Sequence, residues 1–158
     1  MAGDILRTVS VGLALAACLL LTACGSDRGR AAPQVVVEDA WVRAVVVTAG
    51  LESSVNSAAY LTVRHVGQAA DRLVGARTEV ARMTEIHRTT IDSTGLARMA
   101  RVEAIDLEPG AEVRLEPGSY HLMLMGVTQS LPEGDTVNLV LEFETTGALE
   151  VAAEVRAF

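Results

Sequence analysis

Between Pro117 and Gly126 a histidine and two methionines alternate with Tyr120, Leu122 and Leu124. Side chains on an extended strand point to opposite faces with period two, so His121, Met123 and Met125 share one face. Imidazole is a borderline ligand and a thioether is a soft, uncharged one, and together they suit Cu(I) better than the common hard cations. The other candidates of the same chemistry are His65, His87, Met83 and Met99. Met99 follows His87 by twelve positions, and His121 follows Met99 by twenty-two. A methionine in a β domain more often fills core space than binds metal. That reading is preferred for Met83 and Met125, although Met125 is also placed to be a spare ligand or part of an apolar collar. His65, beside Arg64, reads as a surface or edge residue. Tyr120 and Trp41 read as packing groups, and the acidic residues as a solvated face.

These side chains need elements to hold them. The segment Ala81 to Ile91, a turn at Ser93 to Gly95 and the segment Leu96 to Val102 read as a hairpin, which brings His87 toward Met99. The Pro117-Gly118 turn then feeds the His121–Met123 strand to the same end. Elsewhere Val137 to Phe143, Leu149 to Val155 and Val113 to Leu115 alternate apolar with polar residues, the signature of half-buried strands. Glu108-Pro109-Gly110, Glu116-Pro117-Gly118, Pro132-Glu133-Gly134-Asp135 and Thr146-Gly147 supply turns between them. Val35 to Val47 and Ala58 to Val66 are β-branched enough to be strands, whereas Ala69 to Glu79 leaves room for a helical turn. Short strands at this spacing predict an all-β domain, a β-sandwich or small barrel. Its core must be built from Val, Leu and Ala, because the chain has only five aromatic residues (one Trp, two Tyr and two Phe).

Residues 1–23 read as a secretion signal: Val9 to Ala23 is apolar but short for a membrane span, and it ends in small residues. The ending Leu21-Thr22-Ala23-Cys24 resembles a lipoprotein signal, in which Cys24 is lipidated and becomes the first mature residue. Residues 24–33 then form a tether, and residues 34–158 one domain. With Cys18 lost and Cys24 consumed, the mature domain has no thiol. Disulfides, thiolate metal centres and a cysteine nucleophile are thereby excluded. The net charge of −7 leaves no basic patch for nucleic acid.

A thiol-free soft site fits an exported protein, because cysteine pairs outside the cytosol tend to oxidise to disulfides. Thioethers stay neutral at any pH, so protons compete with metal only at imidazole. Two histidines and two methionines also lack the oxygens that calcium and magnesium prefer.

Taken together, these segments resemble the periplasmic copper chaperones of the PCu(A)C family. Their motif is a histidine, then a methionine, then His-x-Met, at intervals matched here by His87, Met99, His121 and Met123. Supporting matches are Ala40-Trp41-Val42-Arg43, Ala58-Ala59-Tyr60-Leu61, Asp71-Arg72-Leu73-Val74-Gly75 and Pro117-Gly118-Ser119-Tyr120-His121. The chain departs at Arg88, where many relatives carry a methionine, and at Val45-Val46-Val47-Thr48, in place of a Pro/Gly-rich loop. The resemblance implies a cupredoxin-like β fold and a Cu(I) site made of His87, Met99, His121 and Met123. It implies a chaperone of the cell envelope, not an enzyme, that is lipid-anchored and faces the periplasm or the cell exterior. The implied recipient is the copper-site subunit of cytochrome c oxidase, whose binuclear copper centre it would supply, alongside a Sco-type assembly factor. Three other readings stay open on residues alone: a copper-sequestering lipoprotein without a delivery partner, a copper enzyme, and a metal-free β-sandwich interaction module. The copper enzyme is disfavoured by the small number of histidines.

Overall fold

The computed structural model describes residues 34–50 and 54–158. The expected signal segment, the lipidation site Cys24 and the tether lie outside these residues. Ten strands are formed, in chain order β1 (Val35–Arg43), β2 (Asn56–His65), β3 (Asp71–Arg77), β4 (Ala81–Ile91), β5 (Ala97–Arg101), β6 (Ile105–Leu107), β7 (Glu112–Leu115), β8 (Tyr120–Val127), β9 (Thr136–Phe143) and β10 (Gly147–Arg156). Among the described residues there is no α-helix, and none forms a helix long and apolar enough to cross a membrane.

The strands hydrogen-bond in the order β5-β4-β8-β7-β2-β1-β10-β9-β3-β6, with β8 also pairing directly to β2. Most pairs are antiparallel, while β1 with β10 and β7 with β8 run parallel. Ile86, Leu122 and Leu124 from one wing belong to the same buried cluster as Leu73, Leu139, Leu141 and Phe143 from the other. The sheet therefore folds over itself as a sandwich, with its inner faces closing one core. As the composition requires, that core is almost wholly aliphatic, with Val42, Val63, Val127 and Val155 filling it beside Ala59 and Ala153.

Two bulges adjust which side chains turn inward. In β1 the pairing with β2 slips between Glu38 and Trp41, where Asp39 adopts a φ of 51°. Inward positions pass from Val35 before the bulge to Val42 after it, and Trp41 emerges on the outer face opposite Tyr60. In β3 the slip falls between Leu73 and Gly75, so that Leu73 and Ala76 are both buried. That spacing of three mimics a helical period. Where the sequence left room for a helical turn within Ala69 to Glu79, residues 71–77 form a strand. A Cβ at Gly75 would lie 3.0 Å from a Glu142 carboxylate oxygen, a contact that this part-exposed side chain can relieve by shifting.

The expected hairpin is formed by β4 and β5. Asp92 organises its tip by accepting hydrogen bonds from the Thr94 and Leu96 amides at 2.9 and 3.1 Å. Gly95 completes the turn with a φ of 82°, a left-handed conformation that costs a side-chain-bearing residue about 1 kcal/mol or more.

Candidate metal centre

The four residues picked out by type and spacing lie on three adjacent strands, β5, β4 and β8. His87 on β4 is the direct cross-strand partner of His121 on β8, and their ring centroids are 5.8 Å apart. Met123 is two residues beyond His121 on the same face and pairs with Glu85, so it lies diagonal to His87. On the other side Thr89 pairs with Met99 and His87 with Arg101, which makes Met99 the opposite diagonal neighbour of His87. Diagonal neighbours lie within reach of a side chain as long as methionine. His87 is thus the hub, with His121 beside it and a thioether approaching along each diagonal.

This face is the outer one. Alternation sends Ile86, Leu122 and Leu124 into the core and leaves His87, His121 and Met123 on the reverse side. His121 is nonetheless buried, because neighbouring groups cover it. Tyr60 lies 6.3 Å from the His121 ring, Trp41 lies 4.5 Å from Tyr60, and Phe158 stacks on Trp41 at 6.4 Å. The bulge at Asp39 is what turns Trp41 into this row. Ala58, the residue of β2 opposite Met123, is small enough to leave space for the thioether.

The hydrogen bonds fix which imidazole nitrogens remain available. His121 donates from Nδ1 to the Ser119 carbonyl at 3.2 Å, and its Nε2 is buried without a partner. His87 donates from Nε2 to a Glu85 carboxylate oxygen at 2.9 Å, and its Nδ1 is likewise buried without a partner. Arg101 holds the other Glu85 oxygen at 3.5 Å. A buried polar atom left unpaired costs on the order of 1–3 kcal/mol. The two free nitrogens on these facing rings are lone-pair donors suited to a metal ion, whereas His65 Nε2, also buried without a partner, has no second imidazole facing it. Burial also pushes the His121 pKa down, outweighing the Ser119 carbonyl, and the nearby His87 and Arg43 act in the same direction as burial. Its ring stays neutral at pH 7 and able to ligate.

Among the described residues no group of three or more His, Cys, Asp or Glu could hold a metal ion. The methionines at the diagonal positions, Met99 and Met123, offer soft thioethers of the kind that suit a monovalent cation.

The remaining candidates fall otherwise than expected. His65 is not an edge residue: it is 1% exposed, with Nδ1 donating to the Glu108 carbonyl at 3.1 Å, at the end of β2 that pairs with β7 and beyond residues 56–59, which pair with β8. Met83 is not core filler either. It is 54% exposed on the outer face and pairs with Met125, which is half-buried on that same face. Arg88 points away from His87 and lays its guanidinium 5.1 Å from the Tyr120 ring centre. The sequence reading overlooked Glu85 and Tyr60. Glu85 stands two positions before His87, and that spacing puts both on one strand face.

Comparison with known proteins finds relatives in sequence and in fold. Residues 35–155 match the family described as "Putative lipoprotein LpqE-like". A protein of Leifsonia xyli subsp. xyli named "Putative lipoprotein Lxx21020" is 28% identical over 158 residues, covering 98% of this chain and 91% of that protein. The solution structure of Cu(I)-loaded DR1885 from Deinococcus radiodurans is 30% identical with a TM-score of 0.57, covering 85% of each chain. The copper-bound PCuAC domain of PmoF2 is 26% identical with a TM-score of 0.63, covering 79% of this chain and 94% of that domain. The shared architecture is the cupredoxin-like β fold.

Proposed function

The chain belongs to the LpqE-like family and to the PCu(A)C copper chaperones, and from that membership we propose that it is a Cu(I)-binding metallochaperone exported to the cell envelope and held there by a lipid on Cys24. The observation that carries the proposal is the pair of buried, partnerless imidazole nitrogens on His87 and His121, flanked by Met99 and Met123. Copper binding by the related DR1885 and PmoF2 domains supports it.

Each ligand has a role that follows from its surroundings. His121 is the buried, prealigned donor, its free nitrogen fixed by the bond to Ser119. His87 is the hub, held by Glu85, and coordinates through Nδ1. Hydrogen bonds of this kind set tautomer and ring direction at metal sites, and losing one typically weakens binding by about 10–100-fold. Met123 is half-buried and anchors the ion from the β8 side. Met99 is 54% exposed on β5, the strand at the edge of the sheet, and is the ligand that a recipient reaches first. Four neutral donors leave the single charge of Cu(I) uncompensated, so the ion is held by soft bonding and not by charge. Such a site can pass its cargo on by stepwise ligand exchange.

The recipient in this reading is the binuclear copper site of a haem–copper oxidase, with a Sco-type factor as the other assembly partner. Competition against a chromogenic Cu(I) chelator tests the core of the proposal. Tight one-to-one binding is expected, together with a higher melting temperature on loading, because an ion bound only to the native state stabilises it. Replacing Met99 and Met123 together by leucine should abolish competition with the chelator. Unchanged affinity in that double variant overturns the proposal.

A further inference from the structure

Beyond the four proposed ligands, the outer face carries two more thioethers in an ordered arrangement. Met83 on β4 pairs directly with Met125 on β8, and the next pair on that face is Glu85 with Met123. Met123 is therefore two residues from Met125 along β8 and diagonal to Met83 across the strands. Directly paired residues have Cβ atoms about 4.5–5.5 Å apart, and diagonal ones remain within reach of long side chains. Three methionine side chains thus form a triangle adjoining the His87–His121 pair, with Met123 common to both groups.

Neither Met83 nor Met125 behaves as packing. The buried cluster contains no methionine, and Met83 stands 54% exposed to solvent where an aliphatic core residue would be wasted. The residue of β2 opposite Met125 is Asn56, whose side-chain oxygen is already taken up by the Gly126 amide at 3.1 Å. A charged side chain, Glu85, stands at the border of the triangle opposite Met123, and both of its oxygens are engaged, one by His87 and the other by Arg101.

We infer that Met83, Met123 and Met125 form an auxiliary three-thioether site for a soft monovalent ion, Cu(I) or Ag(I), adjoining the main centre. This deepens the proposed function and rests on it only for Met123, the ligand the two sites share. Without an imidazole the auxiliary site binds more weakly than the main one and does not retain Cu(II), which prefers nitrogen and oxygen donors. An ion held there moves into or out of the His87–His121 centre by exchanging ligands around Met123. No change of oxidation state accompanies that step.

The test uses the full domain labelled with 13C at the methionine ε-methyls, titrated with Ag(I) as a redox-silent probe and read by NMR. The first equivalent should shift Met99 and Met123. Further Ag(I) should then shift Met83 and Met125. In Met83→Leu, an exposed position where the change does not threaten folding, the Met125 response should be lost while the first-equivalent shifts persist. Met83 and Met125 signals that stay still beyond one equivalent, with Met99 and Met123 responding, overturn the auxiliary site and leave the main proposal standing. A Met125 response that survives Met83→Leu overturns it equally. Silence at all four methyls overturns both.

Discussion

An imidazole coordinates through one nitrogen, and whatever binds the other decides which. At His87 that decision belongs to Glu85, and at His121 to the Ser119 carbonyl. Replacing Glu85 by glutamine keeps the shape but weakens the hold on His87, so Cu(I) affinity should fall by about tenfold or more in chelator competition. The same change leaves Arg101 without its carboxylate, but that guanidinium is 68% exposed and regains water, so the loss matters little to stability. For His121 the expected result is a ring titration, followed by NMR without metal, with its midpoint below the ordinary imidazole value. The sign follows from burial. The folded state resists the proton that the unfolded chain accepts, so lowering the pH through and below about 6.5 removes stability. At this scale the sequence was informative where chemistry was spaced by the strand period, as in His121-x-Met123. It was silent on Glu85, since a carboxylate in a strand looks like any solvated charge until its partner is placed. It misled on Met83, because an isolated methionine reads as filler.

The β4–β5 hairpin decides where Met99 stands. Its tip depends on one carboxylate: Asp92 accepts from the Thr94 hydroxyl at 2.5 Å, from the Leu96 and Thr94 amides, and from Arg98 Nε at 3.1 Å. These bonds hold its pKa at about 2. Asp92→Ala should loosen the arm that carries Met99 and speed Cu(I) loss to a chelator several-fold, while His87 and His121 keep their cross-strand contact. Stopped-flow exchange measures this, and an unchanged release rate would mean that Met99 is positioned by other means. Strand alternation and Pro/Gly turns made this hairpin and the later strands readable in advance. The two bulges were not readable, because each inserts a residue that breaks the alternation it interrupts. The spacing of Leu73 and Ala76 departs from strand alternation for that reason, and the outward turn of Trp41 had no sequence signal at all.

Across the whole domain the core is aliphatic and bears no chemistry, so a few polar anchors tie its edges together. Asp71 is the principal one. Burial works against its ionisation, yet the amides of Arg72, Thr145 and Thr146, at 2.7, 2.8 and 2.9 Å, prevail and hold its pKa at about 2. A carboxyl depressed on folding adds stability above its unfolded value near 3.8, and that contribution disappears as the pH falls toward 2. Asp71→Asn should therefore cost about 2 kcal/mol at pH 7 in urea denaturation. The gap from the unaltered protein should narrow steadily between pH 4 and pH 2. A constant gap across that range would place the loss in packing and not in charge. The aliphatic interior has a second consequence. Phe143 is the ring the buried cluster takes in, while the chain's single tryptophan sits outside it, one ring removed from His121 through Tyr60. The molecule carries its own optical gauge: emission from Trp41 registers what happens at the histidine pair, in a protein whose interior contributes no competing indole signal.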